Sequence, residues 1–494
     1  MTEDVDAAGL PTELGAVDHL LHRGEANPRT RSGIMAVEIL DTTPDWQRFR
    51  DTFETASRRV LRLRQKVVVP TLPTAAPRWV VDPDFNLDFH VRRLRVPEPG
   101  TLRDLFDLAE LSLQSPLDIS RPLWTATLVE GLPDGQAALL LHMSHAVTDG
   151  VGAVEMFANI YDLERDPPSK PPPPLPIPED LSPNDLARAG INRLPGSILG
   201  GVRDAITGAV KAAAWVARDP VSAVSEVVDY ARSGNRVLAQ AAEPSPLLRR
   251  RSLTTRSEAI DIDFPTLRAA AKAAEGSIND AYLAGLCGAL RRYHEAFGVP
   301  IQGLPMAVPV NLRSDDDPAG GNRFAGVMLA APIGIADPAT RIAEVHAQMC
   351  QRREERALDL VSAIAPLLSV LPSPLVESVA ESIVSSDVQA SNVPVFAGDT
   401  FLAGAKVLRQ YGLGPLPGVA MMAVLITRSG ACTVSTRYDR ASIIDEALWA
   451  ECLLAGFEEV LSLAGRGAGH VSAASFTRAE LPSAKSSANG KVGS

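Results

Sequence analysis

His145 and Asp149 stand four residues apart in the segment Ser144-His145-Ala146-Val147-Thr148-Asp149-Gly150, directly after an apolar run. A neutral imidazole can take a proton from a hydroxyl or a thiol and later return it, so His145 is a candidate general base. Asp149 is placed to contact the ring or to anchor the loop by pairing with an arginine, and Gly150 permits a tight backbone. The bare His-x-x-x-Asp spacing is weak evidence by itself and is better explained by core or loop polar groups satisfied in place. Two ligands are too few for a metal site, and spacing brings no third beside them. No Gly-x-Ser-x-Gly element offers a nucleophile for a covalent intermediate.

The elements that must position these residues are legible around them. The run Leu139-Leu140-Leu141-His142-Met143-Ser144-His145 reads as a buried strand. Side chains alternate along a strand, so His145 shares a face with Met143 and Leu141, while Ser144 and His142 point the other way. A largely apolar helix is expected over residues 151–161. His145 then sits where a central strand ends and a loop begins, a common place for functional side chains.

The rest of the first third mixes helices and strands. Residues 45–69 carry helical spacing, and residues 102–113 do so again. Short strands are expected at 78–81 and 89–91, separated by turn residues around Asp82-Pro83-Asp84. Residues 124–130 and 137–142 read as a strand pair joined by Leu132-Pro133-Asp134-Gly135. A Pro-rich stretch, 166–178, predicts an extended linker. Ala- and Val-rich helical spacing follows at 202–217 and 221–238. Strand-like sequence resumes near 259–262. A helix is expected over 278–297, with strands near 306–310 and 324–335 and a strand pair over 419–438. The implied organisation is an N-terminal lobe 1–165, a linker and helical bridge 166–243, a second lobe 244–475 and a small, polar, disordered tail 476–494. Alternating strands and helices in both lobes argue for an α/β class, with a ligand cleft between the lobes.

Bulk properties narrow the function. The 494 residues are too many for one ordinary core. Hydrophobic residues at 46% and charged residues at 22% describe a packed globular chain. A formal net charge of −11 argues against nucleic acid as the main partner. Cys287, Cys350, Cys432 and Cys452 are widely spaced, as in a reducing compartment, and the acidic start lacks a secretory signal. The uncharged stretches 360–375 and 410–427 are interrupted by prolines or glycines and are poor membrane spans. A cytoplasmic protein is expected, with peripheral contact at the inner face of the membrane left open.

Taken in order, several short elements carry a resemblance. Residues 145–150 resemble the second half of the His-His-x-x-x-Asp-Gly motif of the CoA-dependent acyltransferase superfamily. Within it, the chain most resembles the bacterial wax ester synthase/diacylglycerol acyltransferase family. Arg121-Pro122-Leu123-Trp124 resembles its Pro-Leu-Trp element, and Pro77-Arg78-Trp79 through His90-Val91 its early strand region. Ile278-Asn279-Asp280 resembles its Asn-Asp element. Pro309-Val310-Asn311-Leu312-Arg313 with Gly321-Asn322, and Ser391-Asn392-Val393-Pro394, resemble further ones.

The resemblance implies two chloramphenicol-acetyltransferase-like lobes with mixed sheets, joined by a Pro-rich and helical crossover. It implies acyl-CoA as co-substrate with no permanently bound cofactor and no metal. The acceptor would be diacylglycerol or a long-chain alcohol, with contact to membrane or lipid droplet open. His145 would be the base, acting without an acyl-enzyme. Asn279 would donate to the oxyanion, although an Asn there also suits a helix N-cap. Asp149 would pair with Arg313. Gly150 would serve the backbone, and Asn322 would line the cleft or shape a turn. Two departures stand out: Ser144 replaces the first motif histidine, and Val395 stands where a glycine is usual. The first leaves two other readings open, a different acceptor or a weakly active acyl-CoA-binding paralogue.

Overall fold

The computed structural model describes residues 11–72, 74–148, 154, 156–168, 171–193, 242–311, 324–354, 386–465 and 471–476. In chain order their strands are β1 Gly33–Leu40, β2 Gln65–Val68, β3 Arg78–Val81, β4 Val91–Arg95, β5 Trp124–Glu130, β6 Ala137–Ser144, β7 Tyr161–Asp162, β8 Thr255–Asp263, β9 Leu304–Asn311, β10 Phe324–Ala331, β11 Val388–Pro394, β12 Phe401–Leu402, β13 Ala405–Leu413, β14 Met421–Arg428, β15 Ala431–Asp439 and β16 Val471–Ala473. One seven-stranded sheet runs β4-β5-β6-β1-β13-β12-β7, and a second runs β10-β9-β11-β14-β15-β8-β16. Both are mixed: β4 is parallel to β5, and β11 is parallel to β9 and β14. Helices pack against these sheets, which gives the α/β class that alternation implied.

The unbroken apolar run of β6 makes it a strand covered on both faces, and all eight of its residues are buried. Leu139, Leu141 and Met143 enter one core cluster, and Ala138 and Leu140 enter another. It pairs antiparallel with β5 and β1, with Ser144 opposite Gly33. In the second lobe the helix Ile278–Ala296 opens on a capping box, Ser277 with Asp280. It packs against the helix Glu446–Leu461 so closely that a Cβ on Gly456 would lie 2.4 Å from the Ala289 nitrogen. Only glycine fits that approach.

Several elements differ from expectation for identifiable reasons. The helix expected over 45–69 stops at Arg59. A 3-10 turn follows at Leu61–Arg64, and Val67 and Val68 beyond it join β2. His90 belongs to a helical turn, Leu87–His90, capped by the Asn86 side chain, and the strand begins only at Val91. Strands β12 and β13 lie inside the span 244–475 yet complete the first sheet, because β13 pairs with β1 over Met35–Leu40. Residues 171–182 form no helix or strand and run along the first lobe, where Glu179 donates its N–H to the Val81 carbonyl at 3.0 Å. The bridge helices expected at 202–217 and 221–238, and the apolar stretch 360–375, lie outside the described residues. Among the described residues, no helix is long and apolar enough to cross a membrane.

Candidate active site

His145 is the first residue beyond β6. Its backbone N–H donates to the Ser32 carbonyl at 3.0 Å, which levels it with the start of β1. Its side chain lines a cavity of about 340 Å³ between the two sheets. Leu141 and Met143 line the same cavity, as strand alternation requires, and Ser144 and His142 do not. Gly412 on β13 extends this wall, and the opposite wall comes from Ser391, Asn392 and Val393 on β11 and from Met422, Val424 and Ile426 on β14. A deep, largely aliphatic cavity with one imidazole at its edge suits an apolar chain whose reactive end meets a base.

Ser144 is fully buried and turned away from the cavity. Its Oγ donates to Glu25 Oε1 at 2.6 Å and accepts from the Ala146 N–H at 3.1 Å. The same Glu25 oxygen accepts from the Ser32 hydroxyl at 2.9 Å. The network therefore ties the His145 loop to the start of β1 and to the segment after the helix Ala16–Gly24. Nothing in the segment 144–150 announced Glu25, which lies 119 positions away from Ser144. Ser144→Ala should cost about 1–3 kcal/mol in denaturant unfolding, because it removes a donor from a buried carboxylate. Ser144→Thr, which keeps the hydroxyl, should recover part of that loss.

A second polar group, also unanticipated, closes the far end of the cavity. Glu38 on β1 and Gln410 on β13 are cross-strand partners. Arg428, the last residue of β14, lies 3.8 Å from Glu38 and donates to Gln410 Oε1 at 2.6 Å. Tyr161 donates its hydroxyl to Glu38, and Arg428 donates to Thr400. The guanidinium also lies 4.9 Å from the Tyr161 ring centre and 5.3 Å from that of Phe396. Burial pushes the Glu38 carboxyl up, and Arg428 and the Tyr161 hydroxyl only partly oppose this.

Asn279 is not the helix N-cap, a position held by Ser277, and it does not line the cavity. Its Oδ1 accepts from the amide of Asn392, a cavity residue, at 3.5 Å. That contact brings the Asn-Asp and Ser-Asn-Val-Pro elements together from 113 positions apart. Asp149, Gly150, Arg313 and Asn322 lie outside the described residues. Among the described residues, no three His, Cys, Asp or Glu side chains gather as a metal site requires.

On the other side of β1, Gly33 borders a second cavity of about 560 Å³. Arg29, Arg31, Arg249, Arg251 and Arg437 line it, with Asp439 as its one carboxylate among the described residues. Residues 414–418, Gly-Pro-Leu-Pro-Gly, contribute to both cavities and form the partition between them.

Three buried histidines make the fold acid-sensitive. Burial lowers His22 to about 4, His90 to about 4 and His142 to about 3. In the unfolded chain each would titrate near ~6.5. Above that pH both states hold the ring neutral and stability is complete. As pH falls toward 4 the unfolded state gains protons that the folded state refuses, at a cost of about 1.4 kcal/mol per pH unit per histidine. Asp387, pushed up to about 6 by burial, and Glu38, Asp261 and Glu451, also raised by burial, act in the opposite sense. With His19 and His294, which burial also lowers, the histidines outnumber them among the described residues, so the melting temperature should fall from pH 7 to 5. A rise over that interval would contradict this balance.

A family model described as the wax ester synthase/diacylglycerol acyltransferase catalytic domain matches residues 5–282, and one described as the WS/DGAT C-terminal domain matches residues 320–461. The chain belongs to this family. It is an acyltransferase, as the ordered short elements implied. A protein of Mycobacterium tuberculosis strain H37Rv, named as a candidate diacylglycerol O-acyltransferase, is 70% identical over 476 residues, covering 96% of this chain and 97% of its own. Another candidate of that strain and name is 30% identical, over 77% of this chain and 82% of its own. Among solved structures, the wax ester synthase/diacylglycerol acyltransferase of Marinobacter aquaeolei VT8 superposes with a TM-score of 0.62 at 19% identity, covering 92% of this chain and 100% of that one. The starter condensation domain of rhizomide synthetase, in complex with C8-CoA and Leu-SNAC, gives 0.56 at 14% identity, over 93% and 95%. These two likenesses concern the fold, and they place the acyltransferase in the two-lobe architecture expected from its sequence.

Proposed function

We propose that this acyltransferase moves a fatty acyl group from acyl-CoA to a lipid hydroxyl, diacylglycerol or a long-chain alcohol, with His145 as general base and no covalent acyl-enzyme. The observation that carries this is His145 at the edge of a deep aliphatic cavity between the sheets. The imidazole takes the proton of the acceptor hydroxyl as its oxygen bonds to the thioester carbonyl carbon. The resulting tetrahedral oxyanion collapses, the carbon–sulfur bond breaks, and the imidazolium returns the proton to the CoA sulfur. The products are an ester and free CoA, and the proton count closes on His145.

The remaining parts support the same chemistry. With Asn279 Oδ1 occupied by Asn392, the amide nitrogen of Asn279 is the end left to donate toward the oxyanion. Asp149 and Gly150 would shape the loop that presents His145, with Arg313 as the partner of Asp149 and Asn322 near the cleft. The arginine-lined cavity suits the phosphates of CoA, since guanidinium groups recognise phosphate oxygens in pairs. The pantetheine arm would then cross the partition 414–418 to bring the thioester to His145. Burial of Ser144 against Glu25, away from the cavity, supports a structural role at that position and lends nothing to a non-catalytic reading.

The test uses purified protein with palmitoyl-CoA and either hexadecanol or diacylglycerol. Wax ester or triacylglycerol should form together with an equal amount of free thiol. Hydrolysis to free acid in place of ester, or transfer only to amines, would overturn the assignment.

A further inference from the structure

We infer that the cavity is an acyl-chain ruler, and that the Glu38, Gln410, Arg428 and Tyr161 cluster is the polar stop that sets its length. The inference rests on the acyltransferase reading above and adds what the enzyme selects.

Three strands run side by side from the His145 end of the cavity to the cluster. On β1 the cavity is lined by Ile34, Met35 and Ala36 and then by Glu38. On β13, which runs the opposite way, it is lined by Leu413 and Gly412 and then by Gln410. On β14 the alternate residues Met422, Val424 and Ile426 are followed in the same period by Arg428. Each strand thus gives an apolar wall that ends in a polar side chain, and the three polar ends meet through the contacts already described. An accidental buried ion pair would not be expected at the same level of three strands.

The cluster is built to stay where it is. Glu38 and Arg428 are 0% and 3% exposed. Among the described residues, Glu38 Oε2 and Arg428 Nε have no hydrogen-bond partner. A buried charge with an unmet hydrogen-bond position is a poor neighbour for a methyl group. An alkyl chain therefore gains from each methylene it places between the walls and gains nothing from reaching the end.

The spacing gives the length. Ser32, level with His145, is six residues from Glu38, which is about 20 Å of strand. An extended alkyl chain with bonds of about 1.5 Å advances about 1.25 Å per carbon. The cavity therefore measures about 16 carbons from the thioester end. Within that length each added methylene should improve kcat/KM by up to about fourfold, and beyond it the gain should stop or reverse.

Ala36 gives the cleanest probe, because it lines the cavity about 7 Å short of Glu38. Gly412, its cross-strand partner, is unsuitable, since a Cβ there would lie 2.9 Å from Val424 Cγ1. The experiment measures kcat/KM for saturated acyl-CoAs from 8 to 20 carbons at fixed acceptor, and separately for alcohols of varied length at fixed acyl-CoA. Wild type should peak near ~16 acyl carbons. Ala36→Phe should move the peak down by about five carbons, changing the ratio of long to short thioester by at least tenfold. Glu38→Met combined with Arg428→Met should extend acceptance toward 20 carbons. If Ala36→Phe does not fold by thermal melting, Ala36→Leu carries the same test with a shift of about two or three carbons. A folded variant with an unchanged acyl profile overturns the ruler, and so does a shift confined to the alcohol series. Absence of turnover in the wild type with every thioester would remove the acyltransferase reading and the ruler with it.

Discussion

His145→Ala should lower acyl transfer by about 10²–10⁴-fold while leaving the unfolding midpoint within about 0.5 kcal/mol of wild type. The loss follows from geometry. The imidazole stands at the cavity edge, where an acceptor hydroxyl and a thioester carbonyl would meet. Without it the hydroxyl must attack as a neutral alcohol, and the leaving sulfur must depart without a proton donor. The fold should tolerate the change, because the backbone bond from His145 N–H to the Ser32 carbonyl does not depend on the side chain. KM for acyl-CoA should change little, since the aliphatic walls that hold the chain are untouched. His145→Gln keeps polarity and approximate size but cannot cycle a proton, and it should be nearly as inactive. Parallel rate and denaturation measurements on the two variants check both halves of this prediction.

Arg428→Met should destabilise the protein by about 3–5 kcal/mol, the largest stability effect expected from a single change near the site. The guanidinium is the one cation facing Glu38 among the described residues, and it also holds Gln410 and Thr400. Its removal strands a fully buried carboxylate, which would then take up a proton at neutral pH. The fall in stability as the pH is lowered toward 5, which the histidines drive in the wild type, should therefore be shallower in that variant. Replacing Glu38 and Arg428 together by methionine should restore most of the loss, because an apolar pair of similar volume has no charge left to desolvate. Equilibrium urea unfolding of the two single variants and the double variant at two pH values tests this coupling.

The strand that leads into His145 was legible because its signal is local. An unbroken apolar run ending in Ser144-His145 gives a covered strand, and period-two alternation alone separates His145 from His142 and Ser144. The helix from Ile278 and the strands β14 and β15 were legible for the same reason. Long-range partners were not. Nothing in sequence links Glu25 to Ser144 or Asn392 to Asn279, because such contacts follow from how the two sheets pack. The crossing of β12 and β13 into the first sheet was hidden likewise, since a strand's period does not say which sheet it joins. The polar stop did leave a trace. Glu38 interrupts the apolar run of β1, and Arg428 ends the apolar run of β14. A charge at an inward position of a buried strand needs a partner, although sequence cannot say which.

The most direct test of the central claim follows free thiol and ester together, from a single reaction of purified protein with palmitoyl-CoA, in the presence and absence of acceptor. Base-catalysed direct transfer predicts thiol release only when acceptor is present, one ester per thiol, and loss of both in His145→Ala. A stoichiometric burst of thiol without acceptor, accompanied by an acyl adduct on the protein, would contradict it, as would undiminished turnover by His145→Ala.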